Sequence, residues 1–176
     1  TTFMQRILQR VSKGYHFYVT GSFPIEKANR VVEKFVDSYR VDLNANQRSY
    51  AKRKGKSNVC LLMYHNTQSG NIDFALLATK GKNVFFEKEL PTDTFSSERR
   101  NRIKFYDYEI IKKTKPGELK PVLTWQMTKK AKIAWEARII ESSRRKDQGA
   151  LKKSEFILRR IPMFSGVRDQ VYKLIN

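Results

Sequence analysis

The sequence predicts an α+β fold: a mainly antiparallel sheet of about five strands packed on a helix, followed by a basic helical tail. Three observations carry this. Residues 24–41 hold one clean apolar stripe at helical spacing. Short segments rich in aromatic and β-branched residues recur between residues 15 and 127, separated by Gly, Pro and Asn. From Thr128 onward the apolar spacing is helical throughout.

In chain order, Phe3, Ile7, Leu8 and Val11 predict a short amphipathic helix that Gly14 ends. Tyr15–Thr20 reads as a strand and Gly21-Ser22 as a turn. Pro24 suits the first turn of a helix, and Ile25, Ala28, Val32, Phe35, Val36 and Tyr39 form its apolar stripe. Residues 44–57 are polar and basic and read largely as a loop, with room for a short helix that Gly55 ends. Val59–His65 and Ile72–Thr79 form a hairpin around residues 66–70, and Val84–Glu89 is expected as a third strand after a turn at Gly81-Lys82.

Beyond a loop at residues 91–97, Ser97–Arg102 reads as a helical turn or a basic loop. Tyr106–Lys113 and Val122–Met127 make a second hairpin about Lys115-Pro116-Gly117-Glu118. Thr128 is a good N-cap for a helix lined by Ala131, Ala134, Trp135 and Ile139, which Gly149 breaks. Leu151–Ile161 and a last helix capped by Ser165 complete the tail. The expected division is a sheet-rich domain over residues 1–127 and a basic helical tail over residues 128–176.

Charge dominates the composition. Thirty-six Lys and Arg face 17 Asp and Glu, a net charge of +19. Self-repulsion of that size destabilises a compact chain unless a polyanion offsets it. Nucleic acid is therefore the expected partner, ahead of an acidic protein or an anionic membrane. A disordered polycation is excluded by the 40% hydrophobic and 12% aromatic content. The single cysteine, Cys60, lies in an apolar run and reads as buried. It supports no disulfide framework, so a reducing compartment, the cytoplasm, is expected. No segment approaches the ~18 apolar residues of a membrane span.

The basic residues cluster, and the clusters are the expected nucleic-acid contacts. Arg48, Lys52, Arg53, Lys54 and Lys56 surround Tyr50 with no acid among them. Arg99, Arg100 and Arg102 form a second group. Lys129 and Lys130 open the first tail helix, Arg144 and Arg145 close it, and Lys152 and Lys153 follow. Each cation set near a phosphate releases counterions and adds a salt-sensitive increment to binding. Tyr50 adds a ring on which a base can stack.

Catalytic constellations are poor. His16 and His65 are far apart, and one Cys with two His cannot build a structural zinc site. No phosphate-binding loop motif occurs. The arrangement to weigh is Asp73 with Glu87, expected on consecutive antiparallel strands, as metal ligands of a nuclease subunit. Lys88 follows Glu87 directly and would face the opposite way, leaving that pair without a cation. The reading is a binding protein without a catalytic residue, metal or cofactor.

The strings Lys13–Gly21, Gln47–Gly55 and Thr124–Thr128 together resemble small basic proteins encoded on bacterial plasmids and integrative elements. That resemblance implies a role in mobile-element DNA maintenance or transfer and carries no catalytic residue over. The expected function is nucleic-acid binding, DNA favoured slightly over RNA, alone or beside other protein subunits of a nucleoprotein complex. The alternatives are the nuclease subunit and a structural RNA-binding component of a ribonucleoprotein.

Overall fold

A computed structural model describes residues 1–96, 98, 101–114 and 117–175. The fold is α+β, with seven α-helices and two antiparallel sheets, of four and three strands, among the described residues. The chain forms two compact units, Thr1–Asn101 and Arg102–Asn176.

The first unit opens with α1 (Thr2–Ser12), whose Phe3, Met4, Ile7 and Val11 are buried as their spacing requires. Strand β1 (Phe17–Pro24), a 3-10 turn at Ile25–Lys27 and helix α2 (Ala28–Tyr39) follow. Then come α3 (Ala45–Arg53), the hairpin β2 (Val59–Asn66) and β3 (Asn71–Ala78), α4 (Phe85–Glu89) and the two-residue β4 (Thr92–Asp93). The sheet order is β2-β3-β1-β4. Strand β3 is paired along its whole length on both sides, Leu76 opposite both Leu61 and Val19.

Strand alternation divides the core into two layers. Phe17, Val19, Val59, Leu61, Leu76 and Ala78 share one face with Phe35 and Tyr39 of α2 and Phe85 and Phe86 of α4. Helix α1 packs against β2 and β3, and its Phe3 meets Tyr64, which belongs to the opposite face, at 5.8 Å between ring centroids. The sheet is therefore covered on both sides, and Cys60 is buried.

Three expectations for this unit are overturned, the first being the helix start: Pro24 pairs with Asn71 at the end of β1, and α2 begins only at Ala28. Gly21-Ser22 is not a turn: β1 continues to Pro24, with Gly21 opposite Phe74. A Cβ at Gly21 would lie 2.7 Å from the Phe74 ring, so the glycine here serves close packing within a strand. Val84–Glu89 is not a strand either. The Asn83 side chain accepts a hydrogen bond from Phe85 N at 2.9 Å and starts α4 instead. The helix lets both phenylalanines pack inward, Phe85 on Tyr39 at 5.5 Å and Phe86 on Phe17 at 5.0 Å, whereas strand alternation would turn one of them outward.

The second unit holds β5 (Lys104–Phe105), β6 (Tyr108–Lys113) and β7 (Val122–Met127), then α5 (Lys129–Arg144), α6 (Gln148–Leu158) and α7 (Ser165–Ile175). The expected boundary at residue 128 falls between β7 and α5, within this unit. Ile103, Ile110, Trp125, Met127, Leu158, Val167 and Val171 are buried. Helix α7 packs on β7, where the Thr124 hydroxyl accepts from Gly166 N at 3.2 Å. The one sheet of about five strands expected from sequence is thus two sheets, the second hairpin building its own with the tail helices.

Thr128 caps α5 as expected, accepting from Ala131 N at 3.2 Å. Gly149 does not break the helical run. The break comes earlier, at Lys146 with a left-handed φ of 53°, and Asp147 caps α6 by accepting from Ala150 N at 2.9 Å. A side-chain cap satisfies orphan helix amides, so Gly149 is carried inside the first turn of α6. Lys115 and Pro116 of the hairpin turn, and Arg99 and Arg100, lie outside the described residues. No helix among the described residues is long and apolar enough to cross a membrane.

Candidate nucleic-acid interface

The strongest acid-free basic cluster, Arg48 to Lys56, is helical for most of its length, not a loop. Its polar sequence is held as a helix by reciprocal capping. Asn44 Oδ1 accepts from Gln47 N at 3.0 Å, and Gln47 Oε1 accepts from Asn44 N at 2.9 Å. Lys52 and Arg53 sit in the last turn, where cations favour the helix dipole.

Helical geometry sorts the cluster into different roles. Asn46, Tyr50 and Arg53, three to four residues apart, share one side of α3. With Gln47 and Ala51 they line a groove of about 620 Å³. The C-terminal end of α2 contributes Tyr39 and Arg40, and the chain after it Leu43. The remaining wall is built from Lys56-Ser57 and Lys82-Asn83. Tyr50 is 58% exposed, and the Lys54 ammonium lies 5.8 Å from its ring centroid. Lys52 is exposed and does not line the groove.

Arg48 turns inward. Its guanidinium donates to the Val41 carbonyl at 3.3 Å, and its backbone carbonyl accepts from the Asn58 side chain at 3.0 Å. Its positive charge acts on Tyr15 and Cys60, whose pKa values are nevertheless raised, chiefly by burial. Arg48 thus braces the underside of α3 against the sheet.

Two groove cations are clamped together by the backbone. Ser57 N donates to Lys82 O and Lys82 N to Gly55 O, each at 3.1 Å, so Lys56 and Lys82 stand side by side. Gly81 permits this approach: its φ is +145°, and a Cβ there would lie 2.6 Å from Ser57 N. Four cations, Arg40, Arg53, Lys56 and Lys82, therefore line the groove, and no carboxylate does. Arg40 meets Asp42 at 3.8 Å with both side chains largely exposed, a pairing of little energetic weight. At the floor, the Tyr39 hydroxyl donates to Glu89. Burial and that bond raise the Tyr39 pKa above its usual range.

Sequence reasoning missed Arg40 and Lys82. Arg40 stands alone after a helix and Lys82 in a turn, and nothing local to either announces the groove. The available signal was Gly81, read as a turn former when its role is to let two segments touch.

In the second unit, Arg102 donates to the buried Glu109 at 3.0 Å, and Glu109 also accepts from Gln126 at 2.6 Å. Arg102 is thereby committed to the hairpin. Arg145, the residue after α5, pairs with Glu141 in the last turn of that helix. Lys129, Lys130 and Arg144 on α5, and Lys152 and Lys153 on α6, are exposed. Lys130 lines a shallow pocket of about 200 Å³ with Asp107, Trp135 and Arg138.

The expected nuclease pair loses its geometric premise. Asp73 lies on β3 opposite Ser22 and Tyr64, while Glu87 lies on α4 and on no neighbouring strand. Among the described residues, no group of three or more His, Cys, Asp or Glu side chains is placed to hold a metal ion. No protein-family model, curated protein or solved structure matches the chain.

Proposed function

We propose that the protein binds nucleic acid, with the groove between α2, α3 and the Lys82 turn as its principal phosphate-contacting surface. The observation that carries this reading is the composition of the groove: four cations, an exposed tyrosine and no lining carboxylate. Holding Lys56 beside Lys82 costs repulsion in the free protein. A bound phosphate chain relieves that repulsion, so the energetic gain comes on binding. The net charges of the two units, +8 from 17 Lys and Arg against nine acids and +11 from 19 against eight, draw any polyanion toward the chain.

A salt titration tests it. Labelled oligonucleotides are titrated with protein at several salt concentrations. If about four phosphates are contacted, log affinity falls against log salt with a slope near −3. Replacing Arg53 and Lys82 together by alanine should reduce that slope by about one to two. No binding at low salt, or a slope the double variant leaves unchanged, overturns the assignment of the groove.

A further inference from the structure

We infer that the groove takes an unpaired strand, with a base stacked on Tyr50 and the flanking phosphates on Arg53, Lys56 and Lys82. The inference rests on the reading of the groove as a nucleic-acid site and adds which form it accepts. Shape is the first reason. At about 620 Å³ the groove has the size of a pocket for a small ligand. A flexible single strand can lower one nucleotide into it, whereas a duplex presents a broad convex surface.

Tyr50 is the second reason. A ring is useful for stacking when the base has a free face, and paired bases have theirs covered by neighbouring pairs. Tyr50 is 58% exposed although it sits among groove-lining residues, and its helix is anchored beneath by Arg48 and Asn58. The ring is thus an exposed platform on a rigid element, with the Lys54 ammonium over one face at 5.8 Å and the opposite face the one a base would stack on. The third reason is the polar wall. Asn46 and Gln47 flank Tyr50, and Gln47 spends its carbonyl oxygen on the Asn44 cap, which leaves its NH₂ group to donate to a base edge.

Three labelled probes of equal length test this at one low salt concentration: a single-stranded oligonucleotide, its duplex, and an abasic strand that keeps every phosphate but lacks bases. The expected order is the base-bearing strand tightest, by about ten-fold over the abasic one. Tyr50→Ala should erase that margin and Tyr50→Trp should keep it, with unchanged circular dichroism in both. Equal affinity for the abasic and base-bearing strands, or a margin that survives Tyr50→Ala, overturns the inference while charge-driven binding stands. Duplex binding as tight as single-strand binding at equal phosphate number also overturns it. Binding to none of the three overturns it together with the reading on which it rests.

Discussion

The side-chain amide of Gln170 bonds both backbone groups of Met127: its carbonyl oxygen accepts from Met127 N at 2.6 Å, and its NH₂ group donates to Met127 O at 3.2 Å. Met127 ends β7, an edge strand of the three-stranded sheet, and is buried. A side chain on α7 thereby does there what a further strand would do. It ties the last helix of the chain to its sheet and satisfies a donor and an acceptor that water does not reach.

Replacing Gln170 by alanine leaves both Met127 groups unpaired. Each such group costs about 1–3 kcal/mol, so urea unfolding of the second unit should show a loss of about 2–6 kcal/mol. Gln170→Glu keeps the acceptor but loses the donor, and should fall between the two. A loss below about 0.5 kcal/mol for the alanine variant, the size of an ordinary surface change, would mean that water replaces the amide.

Arg48 and Arg53 lie five residues apart on α3 and should behave oppositely. Arg48→Ala removes the bond to the Val41 carbonyl and opens space near Cys60. It should lower stability by about 1–2 kcal/mol, with retained affinity once the protein is folded. Arg53→Ala removes an exposed groove cation. It should lower affinity while changing stability by less than about 0.5 kcal/mol. Thermal melts and binding isotherms on both variants give four numbers. The reverse pattern would show that the two side chains are misassigned.

Tyr39 gives a stability dependence at high pH. Its pKa is raised in the folded state by burial and by its bond to Glu89, while in the unfolded chain it titrates near the usual value of about 10. The contribution is full below about pH 10 and is lost as pH rises from there toward the folded value. Melting temperature should therefore fall above about pH 10, and less steeply in Tyr39→Phe than in the parent. At pH 8 the variant should be less stable by about 1 kcal/mol, through the lost hydrogen bond. Parallel curves above pH 10 would show that Tyr39 ionises freely in the fold.

The expected strands at Val84 and turn at Gly21 failed for a common reason. Local sequence does not reveal what a residue meets across the fold. Gly21 stays in its strand because the Phe74 ring occupies the space a side chain would need. Val84 to Glu89 turns helical because the Asn83 side chain holds the Phe85 amide at the start of α4 and two adjacent phenylalanines must both turn inward. By contrast, α1, the body of α2, the β2–β3 hairpin and β7 were legible, since each carries an apolar period that burial of one face demands. The expected start of α2 at Pro24 gave way to β1, which pairs Pro24 with Asn71.

By itself, the sequence determined the α+β class, the burial of Cys60, the excess of positive charge and the acid-free run around Tyr50, because composition and local period are properties of the chain alone. Tertiary structure decided which of those charges face outward. It turned Arg48 under the helix, committed Arg102 to Glu109, and brought Arg40 and Lys82 to the groove. The physical reason is that helical rotation and backbone pairing, not proximity in sequence, set where a cation points. Residues as distant as Lys56 and Lys82 share a groove because Gly81 has no side chain to hold their segments apart.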